Sequence, residues 1–106
     1  MTRTVSLVVS PSHGALLLVG QVDHRTYPPA KMRPGMTPVE IELEGMRRYL
    51  KRNQDLKPVT FIVGKYAADL MTYRAMPQSR EVEMAINRLE YFIRRRPGSV
   101  SFEVRQ

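Results

Sequence analysis

Residues 37–52 read TPVEIELEGMRRYLKR, and this stretch decides the fold. Thr37 supplies a capping hydroxyl directly before Pro38, a residue suited to the first position of a helix. Val39, Leu43, Met46 and Leu50 then recur at spacings of four, three and four, which draws one apolar stripe along a helix. Glu40, Glu42 and Glu44 lie toward its start, with Arg47, Arg48, Lys51 and Arg52 toward its end. That order of charge complements the helix dipole. A helix with a single apolar stripe needs a surface to lie on, and the flanking sequence provides strands.

On the amino-terminal side, Thr4 to Val9 alternates Val5, Leu7 and Val9 against Thr4, Ser6 and Val8, the period of a strand. The turn-forming run Ser10 to Gly14 follows, and Ala15 to Val22 (ALLLVGQV) reads as a second strand, antiparallel to the first across a hairpin. Its all-apolar start predicts burial on both faces, and so helices packed on the sheet. Prolines at 28, 29, 34 and 38 leave room for an edge strand at most, around His24 to Tyr27 or Ala30 to Arg33.

On the carboxyl-terminal side, Val59 to Val63 (VTFIV) reads as a short buried strand ending at Gly64. Lys65 to Arg74 predicts a short helix. Ser79 caps a longer one, with Glu81 and Glu83 in its first turn and Val82, Ala85, Ile86, Leu89, Phe92 and Ile93 as its stripe. Arg94, Arg95 and Arg96 fall in its last turn and Pro97-Gly98 stops it. Val100, Phe102 and Val104 alternate in a final strand.

The order is β-β-(β)-α-β-α-α-β. A strand reached by a crossover helix implies a mixed sheet, parallel at its centre and antiparallel at one side. We expect one α/β domain over 1–106, since 106 residues suit a single core. Its sheet would have five strands, or four and an edge strand. The expected core comprises Val5, Leu7, Leu17, Leu43, Met46, Leu50, Phe61, Val63, Ile86, Leu89, Ile93 and Phe102.

Composition narrows the function classes. With 42% apolar residues the chain can fill a core, yet no apolar run nears the ~18 residues of a membrane span. The amino terminus shows no export signal. The absence of cysteine excludes disulfides and thiolate metal sites, and suits the cytoplasm. Seventeen Lys and Arg against ten Asp and Glu give a net charge of +7, which draws polyanions.

The order of elements resembles the ribonuclease H-like fold, and Thr37 to Leu43 resembles that family's entry to its first helix, a Thr followed by polar residues and a Glu-Leu pair. The resemblance implies that Glu42 stands where the family keeps a metal-binding glutamate. It also implies acids at the ends of the first and fourth strands, where this chain has Ser10 and Gly64, the latter followed by Lys65 and Tyr66. The family's last acid lies on a helix beyond the fifth strand, and the chain ends at Gln106 before one. Two-metal hydrolysis needs carboxylates converging on ions ~3.5–4 Å apart, which a single glutamate does not supply. Lys65 would add positive charge at the same place.

Other candidates carry less chemistry. His13 and His24 are the only imidazoles and read as loop residues. No glycine-rich phosphate loop and no nucleophile elbow occurs. The methionines Met32, Met36, Met71, Met76 and Met84 read as gap fillers, or as an adaptable contact surface. The basic clusters Arg47, Arg48, Lys51, Arg52, Arg94, Arg95 and Arg96 could form one face if their helices pack side by side.

The leading expectation is a non-enzymatic accessory factor of a phage or mobile element. It would use those seven residues to bind an acidic host protein or a nucleic acid, with no cofactor, metal or membrane. One alternative is a nucleic-acid-binding module using the basic helix faces. A divergent metal-dependent nuclease is the other.

Overall fold

The computed structural model describes residues 2–12, 15–26, 30–54, 57–96 and 98–106. Six strands and three helices follow one another: β1 (Arg3–Ser12), β2 (Ala15–Val22), β3 (Arg25–Thr26), β4 (Ala30–Lys31), α1 (Pro38–Arg52), β5 (Val59–Val63), α2 (Lys65–Thr72), α3 (Arg80–Arg95) and β6 (Val100–Val104). The strands form one mixed sheet ordered β3-β2-β1-β5-β6, with β4 also paired to β2. β1 and β2 are antiparallel, whereas β1, β5 and β6 are parallel. The mixed α/β sheet expected from the order of elements is therefore present, with six strands where five were expected.

Both proposed edge segments form, each as a two-residue strand on β2. Asp23 and His24 make the turn between β2 and β3, both at positive φ, as a two-residue hairpin turn requires. His24 is exposed there; His13 lies outside the described residues.

The end of β1 differs from the sequence reading. β1 runs on through Ser10 and Pro11, which pair with Leu17 and Leu16, so the turn is shorter than Ser10 to Gly14. Pro11 is tolerated because the recorded pairing of β1 with β5 ends at Ser6 and Ile62, leaving that end of β1 with a neighbour on one side only. The turn itself, residues 13 and 14, lies outside the described residues, as does Pro97.

Register explains which residues are buried. Val5 is level with Phe61 on β5 and with Val22 on β2, and Val9 with Leu18, so Val5, Leu7, Leu18, Phe61 and Val63 share one face. All five are buried in a single core with Ile41, Leu43, Met46 and Leu50 of α1. The other face carries Thr4, Ser6, Val8, Thr60, Ile62, Ser101 and Glu103, none of them buried. Burial of β2 on both faces is thus corrected, and so is Leu17 as a core residue. The hairpin register turns Leu18 inward and Leu17 outward.

The helices are seated by local chemistry. Thr37 Oγ1 accepts from the Glu40 amide while Glu40 returns a carboxylate to the Thr37 amide, a reciprocal cap. Gly45 lets α1 sit close on the sheet, since a Cβ there would lie 2.6 Å from Leu18 Cδ2. α3 packs on α1 and buries Val82 and Leu89, while Ile86, Ile93 and Phe102 remain partly exposed. Met32 belongs to the core, and Met76 and Met84 are exposed. No helix among the described residues is long and apolar enough to cross a membrane.

Phe61 has no exposed surface and packs between the rings of Tyr49 and Phe102. Phe61→Ala is expected to cost about 3–5 kcal/mol, read as a lower urea midpoint with unchanged slope. Thr37→Ala removes one half of the cap and is expected to cost about 1 kcal/mol in the same measurement.

Candidate functional site

Two places on the molecule gather polar chemistry. The first lies at the carboxyl ends of the parallel strands. The second turn of α1 brings Glu42 over the end of β5, where the side chain is only 6% exposed. Its carboxylate accepts the Gly64 amide at 2.6 Å. A Cβ on residue 64 would stand 3.1 and 3.4 Å from the two carboxylate oxygens, so glycine leaves the space that Glu42 fills.

Arg105, just beyond β6, closes the same corner. Its amide donates to the Val63 carbonyl, and its guanidinium crosses the end of β5 to reach the Leu7 carbonyl on β1. Burial pushes the Glu42 carboxyl above its ordinary value of 4.5, while the Gly64 amide and the Arg105 charge pull the other way and offset part of the rise.

The residues expected to face Glu42 are arranged differently. Ser10 lies four residues past Ser6, where the recorded β1–β5 pairing ends, roughly 13 Å along the strand at ~3.3 Å per residue. Leu7, buried and on the helix-facing side, is the β1 residue beside the Arg105 guanidinium. Lys65 turns away along α2 to pair with Asp69 at 2.8 Å. Positive charge does reach the corner, but Arg105 brings it. A lone arginine after the last strand reads as a solvated charge until β6 is known to lie beside β5.

No group of three or more His, Cys, Asp or Glu that could hold a metal gathers among the described residues. At this corner Glu42 is engaged by the Gly64 amide and flanked by the Arg105 guanidinium. The donor set does not fit a pair of metal ions.

The second place is the far end of α1. α1 and α3 lie side by side in the same sense. Glu40, Glu44 and Arg48 share one groove with Glu81, Met84 and Arg88, while Leu50 and Gln54 share another with Phe92 and Arg95. Their carboxyl-terminal ends therefore lie side by side; Arg95 and Arg96 line the groove between them, whereas Arg48 and Arg52 line the groove on the β2 side of α1.

The seven basic residues have unequal duties there. Arg47 grips Glu44 with two hydrogen bonds, and Arg48 reaches the same carboxylate at 3.2 Å. The Arg47 hydrogen bond holds Glu44 below the usual carboxylate range. Arg94 pairs with Glu90 at 2.8 Å. Arg96 donates to the Asn53 and Lys57 carbonyls and so ties the end of α3 to the segment after α1. Lys51, Arg52 and Arg95 make no ion pair with a described residue, and Arg95 lies over the Tyr91 ring at 4.2 Å.

Solved structures share this architecture. RNase H1 of the halophilic archaeon Halobacterium salinarum matches with a TM-score of 0.70 at 9% identity, covering 99% of this chain and 86% of that one. The fold is that of ribonuclease H. The N-terminal RNase H domain of a Mycobacterium tuberculosis protein, as a fusion with maltose-binding protein, matches with a TM-score of 0.69 at 14% identity, over 98% of this chain and 81% of that one. LC11-RNase H1 in complex with an RNA/DNA hybrid matches with a TM-score of 0.65 at 6% identity, over 97% and 84%. No protein-family model matches the sequence. No curated protein matches it significantly.

The RNase H-like architecture expected from element order and from Thr37 to Leu43 is thus present over nearly the whole chain. The expectation that the chain is not an enzyme is corrected by the same finding. The structures that share its fold are ribonucleases, and two missing aspartates in the sequence do not place the chain outside the enzymes.

The Glu42 corner makes a prediction about pH. With its carboxyl raised, the folded chain holds a proton that the unfolded chain has already released just above pH 4.5. Glu42's contribution is therefore fully present below the unfolded value and is lost as pH rises through the folded one. Glu42→Gln is expected to flatten that limb of the stability profile in urea melts. Arg105→Ala is expected to move the Glu42 midpoint further up in a carbon-detected NMR titration, because it removes a charge that favours the ionised form.

Proposed function

We propose that this chain binds nucleic acid through the joined carboxyl-terminal ends of α1 and α3. The observation that carries this reading is the set of cations on two helix ends that lie side by side, Lys51 and Arg52 in the last turn of α1 and Arg95 in that of α3, without an ion pair to a described residue. Arg95 lines the cleft between the helices and Arg52 the groove on the β2 side of α1. Helix dipoles account for positive charge in a last turn. They do not account for two such turns brought together with cations to spare, on a chain whose net charge is +7. Polyphosphate backbones are the ligands that such a surface meets at long range and neutralises on contact.

The fold supports the same reading. One of the RNase H structures that share it is a complex with an RNA/DNA hybrid. A cytoplasmic setting, where nucleic acid is at hand, accords with a chain that has no cysteine.

The test is fluorescence anisotropy with labelled RNA, DNA and hybrid oligonucleotides over a series of salt concentrations. Binding is expected to weaken steeply with salt. In the variant carrying Lys51→Gln and Arg52→Gln, the slope of log K against log[salt] is expected to fall by about 1.4, at ~0.7 for each phosphate contact on a single strand. Equal slopes for the variant and the unaltered chain would overturn the reading, as would no binding at low salt.

A further inference from the structure

The two helix ends enclose a cleft of about 310 Å³, lined by Leu50 and Gln54 from the α1 side and by Tyr91, Phe92, Arg95 and Arg96 from the α3 side. We propose that this cleft takes one unpaired nucleobase, stacked on the Arg95 guanidinium, while an adjoining phosphate rests on Lys51, next to the cleft residue Leu50 in the last turn of α1. The inference rests on the nucleic-acid reading above and adds to it the state of the strand: single, flapped or frayed rather than fully paired.

Four features point to a base. The cleft is of the size at which small-ligand sites begin, roughly 300 Å³. Its interior is apolar at Leu50 and Phe92, which suits the faces of a heteroaromatic ring. Among the described residues no carboxylate lines it, and its lining includes the cations Arg95 and Arg96, which attract the phosphates that a base brings with it. Lastly, Tyr91 is 52% exposed, an unusual position for a large ring, and is covered on one face by Arg95.

That pair is a stacking platform already assembled. Tyr91 and Arg95 are four residues apart on α3, so they lie on the same side of the helix one turn apart. The Phe92 ring meets Tyr91 edge-on at 5.2 Å and braces it. A guanidinium seated over a ring at 4.2 Å keeps another side, planar and weakly hydrated, for a second planar group. Bases are the planar groups that polyanions carry, and stacking on Arg is a common way of holding an unpaired one. Gln54 donates to the Lys51 carbonyl at 3.2 Å and keeps its amide oxygen as an acceptor for a base edge.

This cleft stands apart from the Glu42 corner. Nine or ten residues of α1 separate Glu42 from Lys51 and Arg52, about 15 Å at 1.5 Å per residue. A strand seated at the helix ends would thus be held away from the strand-end corner.

The experiment compares a short single-stranded oligonucleotide, the same strand with one abasic position, and a blunt duplex, each binding to the full chain by anisotropy. The unaltered chain is expected to bind the intact single strand most tightly. Arg95→Lys keeps the charge and removes the plane, so it is expected to weaken single-strand binding roughly tenfold with the salt slope unchanged. It should bind the abasic and intact strands alike. A circular-dichroism spectrum and urea midpoint of Arg95→Lys matching those of the unaltered chain control for folding.

Salt-sensitive binding that Arg95→Lys leaves intact would overturn the base site while the phosphate reading stands. A duplex bound as tightly as the single strand would do the same. Absence of salt-sensitive binding to any of the three would overturn both.

Discussion

β5 has a partner strand on each side and helices over one of its faces, and this enclosure governs the rest of the chain. Val59, Phe61 and Val63 are almost wholly buried. Three inward side chains in five residues can be covered only if β1 and β6 flank the strand and α1 lies across it. Parallel pairing on both sides follows, because β5 is reached from β1, and β6 from β5, through crossover segments rather than hairpins. Phe61 meets Tyr49 edge-on and stacks with Phe102, which links α1, β5 and β6 in one cluster.

The same enclosure creates the Glu42 corner. Parallel strands end together, so the ends of β1, β5 and β6 bring Leu7, Gly64 and Arg105 close in space from far apart in sequence. α1 must pass over this edge to bury Ile41 and Leu43, and Glu42 lies between them. Its carboxylate then has little water and takes the Gly64 amide in its place. The glycine, the buried acid and the terminal arginine thus answer one constraint, the burial of a charge at a strand end.

At the opposite end of α1 the constraint is different. α3 packs along α1, so two helices running in one sense present their carboxyl termini together. The negative ends of two dipoles favour the basic residues there. Internal carboxylates and carbonyls absorb Arg47, Arg48, Arg94 and Arg96, which leaves Lys51, Arg52 and Arg95 to face outward. Charge that reads as one block in sequence divides into a structural set and an outward-facing set.

Much of this was legible in the chain. Local rules identified all three helices, the caps of α1 and α3 and the principal strands, because apolar spacing and capping residues act within a few positions. The likeness to ribonuclease H rested on element order and on Thr37 to Leu43, and the architecture agrees. Sequence alone did not decide which face of β2 turns inward, how far β1 extends, or which residue stands beside Glu42. Those depend on register and on neighbours distant in sequence: a one-residue slip would exchange Leu17 for Leu18, and only the sheet order brings Arg105 across β5 to β1. Charge pairing is decided in the same way, since a carboxylate chooses its partner by distance and burial, neither of which is written locally in the sequence.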